Sequence, residues 1–143
     1  MNDVVSQSRQ NASEIQKMAH GRKRIVFVSG NFNTLHPGHL RLLQFASECG
    51  DFLVVGVTNN DAEGVLVPEE LRLDGVRIIS FVNYAFTLRT LPEVFIQQLK
   101  PHVVVRGKDH EGHFNTEQSL VESDGGKLLY SSGDMRFSSV DLL

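Results

Sequence analysis

The chain has a single cysteine, Cys49, in 143 residues. No disulfide can close within it, and a reducing compartment suits such a composition. No apolar run comes near the ~18 residues that a membrane-spanning helix needs, so no membrane partner is expected. The opening stretch, MNDVVSQSRQNASEIQKMAHGRKR, holds no continuous apolar core. No signal peptide is therefore expected, and the cytoplasm is the expected location. Positive charge is not in excess. The formal charge is −3, which argues against a general nucleic-acid binder. The two commonest phosphate loops, G-x-x-x-x-G-K-[ST] and G-x-G-x-x-G, are both missing. No Ser–His–Asp or Cys–His nucleophile set stands out either. Cys49 ends a helical stretch beside Gly50 with no basic neighbour to activate it, and reads as inert.

What is present is an ordinary globular composition, 41% hydrophobic and 22% charged. The length suits one compact domain, 1–143, with a core of its own. Residues 1–22 read as a polar lead-in carrying a short helix near Ser13–Ala19, before a basic tip at 22–24. RIVFVSG (24–30) is a β-branched and aromatic run, hence a buried strand. Residues 38–50 place Leu40, Leu43, Phe45 and Ala46 at helical spacing, with Gly50 as the stop. FLVVGVT (52–58) is a second strand, 68–80 a helix opening at Pro68, and 83–88 a third strand. A helix over 92–100, a strand over 102–107, a helix over 116–126 and a strand over 127–132 follow. A last helix begins at Ser138. Such alternation predicts an α/β fold, a doubly wound parallel five-stranded sheet with right-handed crossovers. Phe81, Tyr84, Phe86 and Phe95 fall in or beside buried elements and are expected in the core.

In such sheets ligands sit outside the carboxyl ends of the strands. The loops there are 29–38, 58–68, 89–92, 106–115 and 131–138. The first carries SGNFNTLHPGH, two histidines three residues apart where strand hands over to helix. Pro37 suits the first helical position. His36 then stands at the entry and His39 in the first turn. A helix N-terminus offers N–H groups and a positive dipole end to a phosphate. Two imidazoles there add donors that can follow charge developing on a phosphoryl group. Gly30 leaves room for a close backbone approach, Gly38 keeps the helix start clear, and Ser29 or Thr34 can add a hydroxyl donor. At this composition H-x-G-H should arise by chance only roughly 0.02 times in the chain.

SGNFNTLHPGH resembles the signature of the cytidylyltransferase-like nucleotidyltransferases, G-x-F-D-x-x-H-x-G-H. The likeness runs from about Lys23 onward. The nucleotidyltransferase domain of ADP-heptose synthases and the glycerol-3-phosphate cytidylyltransferases have similar patterns. The resemblance implies a Rossmann-like nucleotidyltransferase fold. It implies transfer of CMP or AMP from CTP or ATP to a small phosphate monoester, a sugar or polyol phosphate, with release of pyrophosphate. It implies Mg²⁺ held mainly by triphosphate oxygens. It makes His36, His39 and Arg72 the catalytic candidates, Arg72 through the EELR segment. Ser29, Gly30, Asn31, Phe32, Asn33 and Gly38 become nucleotide-binding candidates, as do Arg106, Gly107 and Asp109 of RGKD. Arg136, Phe137, Ser138 and Ser139 join them, because RFSS resembles the family's triphosphate-holding Ser-Thr-Thr segment. A second copy of the chain is a further candidate partner.

Two departures stand out. Asn33 occupies the position of the family's aspartate, and the loop NNDAEGVLVPEE lacks the lysine often found there. They motivate an alternative reading, a domain that binds nucleotide for sensing or scaffolding and transfers little. A third class, a histidine-rich metal binder, draws on His110 and His113 of DHEGHF. That segment is not H-E-x-x-H, and it reads as a solvated loop.

Overall fold

The computed structural model describes residues 2–20, 23–33, 35, 37–59, 64–107, 121–122 and 125–131. Among them run helix α1 (Asn2–Ala19), strand β1 (Ile25–Gly30), helix α2 (Pro37–Glu48) and strand β2 (Phe52–Thr58). Helix α3 (Glu69–Arg77), strand β3 (Tyr84–Leu88), helix α4 (Pro92–Leu99), strand β4 (Val103–Gly107) and strand β5 (Lys127–Ser131) follow. The strands make one sheet in the order β3-β2-β1-β4-β5, every neighbouring pair parallel. The Val- and Ile-rich runs expected to be strands are the strands. A parallel strand covered on both faces reads as a continuous apolar run rather than an alternating one.

The period of two still decides which face each side chain serves. Ile25 and Phe27 of β1 point into a cluster with Ile15 and Ala19 of α1 and Phe95 and Leu99 of α4. Val26 and Val28 point the other way, into a cluster with Leu43 of α2 and Val76 of α3. Phe86 and Phe95 are buried as expected, and their rings pack 4.8 Å apart between centroids. Phe81 and Tyr84 are half-buried against the two clusters, and so is Cys49. No helix among the described residues is long and apolar enough to cross a membrane.

The N-terminus departs from the expectation. In place of a polar lead-in and a short helix at Ser13–Ala19, α1 is an 18-residue helix beginning at Asn2. Ala12, Ile15 and Ala19 form its buried stripe, at i, i+3 and i+7. The helix lies along α4. Gln16 donates from Nε2 to the Leu99 carbonyl at 2.9 Å, and Ser8 donates from Oγ to Gln98 Oε1 at 2.5 Å. The first half of α1 buries Ser8 rather than an apolar residue, so its sequence alone shows no apolar stripe. Of the predicted 116–126 helix Val121 and Glu122 are described as helical, while Gly125 and Gly126, which the prediction included, form a turn and the approach to β5, Gly125 with φ +84°. The predicted helix from Ser138 lies outside the described residues.

Candidate functional site

Five parallel strands bring their carboxyl ends to one edge, and each helix that follows a strand starts there. Ser29 and Gly30 close β1, Thr58 closes β2, and Arg106 and Gly107 close β4. β1 lies between β2 and β4, so the motif turn rises at the centre of this edge. α2 then begins at Pro37, as the sequence predicts, with Gly38 and His39 in its first turn.

The turn has an unusual backbone. Phe32 has φ +51°, the left-handed region that a bulky residue rarely adopts. Its ring is thereby folded inward, buried, edge-on to the His39 imidazole at 5.9 Å between centroids. Gly30 makes this possible: a Cβ there would lie 3.2 Å from the Phe32 ring. The room that Gly30 leaves is therefore occupied by the protein's own phenyl ring, which in turn backs the histidine.

Asn31 and Asn33 face across the turn toward the chain that leaves β2. Thr58 donates from Oγ1 to Asn31 Oδ1 at 2.6 Å. Asn33 donates from Nδ2 to the Gly64 carbonyl at 2.8 Å. Its Oδ1 accepts from the Leu66 N–H at 2.7 Å and the Val67 N–H at 3.2 Å. Gly64 has φ +85°, and a Cβ on it would lie 3.1 Å from Asn31 Nδ2, so both conformation and space call for glycine.

Arg72 ties the same parts together from below. Only 2% of it is exposed. Its Nε donates to the Val67 carbonyl at 2.6 Å, and its NH1 group to the Asn31 carbonyl at 2.9 Å and to Thr58 Oγ1 at 3.3 Å. It thus braces the floor under the motif turn. Thr58, Gly64 and Val67 belong to this assembly and were not among the sequence candidates. Their contribution is a hydroxyl, a backbone conformation and two backbone groups, none of which carries a motif.

The structure brings together Ser29, Gly30, Asn31, Phe32, Asn33, Gly38, His39 and Arg72, with Arg106 and Gly107 on the neighbouring strand. His36, Thr34, Asp109, Arg136, Phe137, Ser138 and Ser139 lie outside the described residues, as do His110 and His113. No three His, Cys, Asp or Glu side chains converge as a metal set among the described residues.

Comparison with known proteins points the same way. The cytidylyltransferase-like family profile matches residues 27–128, which spans β1 through the start of β5. The chain is 35% identical over 115 residues to the Bifunctional protein HldE of Pelobacter propionicus, covering 74% of this chain and 23% of that one. It is 37% identical over 127 residues to the Bifunctional protein HldE of Wolinella succinogenes, covering 80% and 26%. The chain thus spans about a quarter of the length of these curated relatives. A crystal structure of the lipopolysaccharide core biosynthesis protein from Thermoplasma volcanium superposes with a TM-score of 0.63 at 24% identity. That alignment covers 76% of this chain and 95% of the other, and it shows a shared fold. The chain belongs to the cytidylyltransferase-like family of nucleotidyltransferases.

Proposed function

We propose that this chain transfers a nucleoside monophosphate, CMP or AMP, from CTP or ATP to a small sugar or polyol phosphate. The observation that carries the reading is the placement of HPGH. Its Pro37, Gly38 and His39 open a 12-residue helix at the carboxyl edge of a parallel sheet, with His39 in the first turn. An oxygen of the acceptor phosphate attacks the α-phosphorus. A new P–O bond forms, the bond from the α-phosphorus to the bridging β-oxygen breaks, and pyrophosphate leaves with that electron pair. The attacking group is already an anion, so no covalent enzyme nucleophile is needed. Catalysis rests on alignment and on donors aimed at the α-phosphate oxygens. His39 supplies one such donor, backed by Phe32, and His36 is placed by the sequence to supply another. The N-terminal dipole of α2 supports the same charge. Mg²⁺ would ride on triphosphate oxygens, the hard ligands it prefers, and would draw off negative charge there. The cytoplasm, where both triphosphates are available, is the proposed setting.

A thermal-shift series with ATP and CTP, each with Mg²⁺, tests binding. Saturation at 100 Kd should stabilise the fold by about 2.7 kcal/mol. Pyrophosphate release with a panel of sugar and polyol phosphates tests transfer. A shift without release under every acceptor would leave the binding-only reading standing in its place. No shift with either triphosphate would remove both.

A further inference from the structure

We propose that Asn33 is a positioning residue: both ends of its carboxamide fasten residues 64–67 to the motif turn and so fix one wall of the nucleotide site. The role requires a side chain that donates and accepts at once. An aspartate, the residue of the family pattern at this position, cannot fill it.

The contacts decide the orientation of the amide. The Gly64 carbonyl can only accept, and the Leu66 and Val67 N–H groups can only donate. Nδ2 must therefore face Gly64 and Oδ1 must face Leu66 and Val67, as observed at 2.8, 2.7 and 3.2 Å. A flipped amide would set oxygen against oxygen and N–H against N–H. An ionised carboxylate would have the same fault on one side, with an anionic oxygen against the Gly64 carbonyl. It could keep the two N–H donors only by swinging away from Gly64.

The surroundings show a built clasp rather than a chance contact. Val67 is held at both backbone groups, its N–H by Asn33 and its carbonyl by Arg72. Arg72 also holds the Asn31 carbonyl, two residues before Asn33. Gly64 takes a positive φ, which lets its carbonyl turn toward Asn33. The loop and the turn are joined from above by Asn33 and from below by Arg72. The departure from the family signature is then a substitution with a partner. Asn33 meets the Gly64 carbonyl and the Leu66 and Val67 N–H groups of the same chain.

This inference rests on the proposed nucleotidyl transfer only for its effect on ligand, and the test separates the two. The first measurement needs no ligand: backbone amide NMR shifts of Gly64 to Val67 in the free protein, for the parent, Asn33→Asp and Asn33→Ala. Both variants should move these shifts at pH 7. As pH falls through the new carboxyl's titration, Asn33→Asp gains an O–H donor. Its shifts should then return toward the parent's, while those of Asn33→Ala stay displaced. The neighbouring elements carry His39, Glu69, Glu70 and Arg72. Their titration is shared by parent and variant, so the difference isolates the new carboxyl. Parental shifts in Asn33→Asp at pH 7, or a displacement that acid does not reverse, would overturn the clasp. The second measurement is the Kd for ATP and for CTP with Mg²⁺, at pH 7. Asn33→Ala should weaken the better of the two by about tenfold. An unchanged Kd despite a displaced loop would overturn the wall's role in binding. If the parent binds neither triphosphate, the functional reading fails while the NMR result still judges the clasp.

Discussion

His39 and Arg72 have two different parts in the proposed site. His39 stands in the first turn of α2, with its ring against Phe32 and its backbone at a helix start. His39→Ala should lower transfer by about 10²-fold or more, the usual effect of removing a donor to developing charge. The melting temperature should move little, because the helix keeps its other anchors, Leu43 and Ala46. A fall in rate matched by an equal loss of folded protein would make His39 a packing residue instead. Arg72 acts through others. Arg72→Met leaves the Val67 and Asn31 carbonyls and Thr58 without their buried donor. Urea unfolding should show a loss of about 2–4 kcal/mol, and triphosphate affinity should drop with it. Arg72→Lys should rescue little, because one ammonium cannot span the fork of directions that a guanidinium reaches. The histidine pair stands out in the sequence because rare residue types stand together; the structure places His39 in the first turn of α2, and His36 lies outside the described residues. The clasp was not. Asn33 reads as a departure from a pattern until its partners, about 30 residues along, are known. A sequence displays a side chain's chemistry, and it withholds which backbone groups will stand opposite.

The same distinction holds for whole elements. β1, β2, β4 and β5 were legible because their apolar runs end in glycine, serine or threonine and leave few alternatives. α1 was not, because its apolar stripe is short, Ala12, Ile15 and Ala19, while Val4 and Met18 lie exposed among polar residues. What holds its outer face is a side-chain relay that no periodicity reveals. Tyr84, at the start of β3, donates to Glu14 Oε1 at 2.6 Å and accepts from Asn11 Nδ2 at 3.0 Å. Desolvation by burial, then the bond to Glu14, push the phenol up to about 12 from its ordinary 10.0. The folded state therefore keeps this proton over a range in which the unfolded chain releases it. The contribution is full below pH 10 and is lost as pH rises through about 12. The chain has two tyrosines, so a Tyr130→Phe background leaves Tyr84 alone to be followed by phenolate absorbance. Its midpoint should lie near 12. Tyr84→Phe should flatten the part of the alkaline stability loss between those two pH values. A midpoint near 10 in the folded protein would mean that α1 does not seal this tyrosine.

At the scale of the molecule, the sheet divides the labour. α1 and α4 cover one face and α2 and α3 the other. α2 opens with Pro37, Gly38 and His39, and α3 places Arg72 beneath the clasp. The α1–α4 layer supplies bulk without touching the site: Phe95 and Ile15, packed with Phe27 of β1, are among the largest fully buried side chains. Changes in that layer should therefore alter how much protein is folded and not what the folded protein does. Ile15→Ala removes most of a fully buried side chain and should lower stability by about 2–5 kcal/mol. Its turnover per folded molecule, measured well below the melting temperature, should equal the parent's. The double variant Ile15→Ala/His39→Ala should show the stability loss of the first change and the rate loss of the second. Side chains on opposite faces that share no partner add to within about 0.5 kcal/mol. A double variant much slower or much less stable than that would mean the sheet transmits strain between its faces. In that case α1 would belong to the catalytic unit rather than to its support.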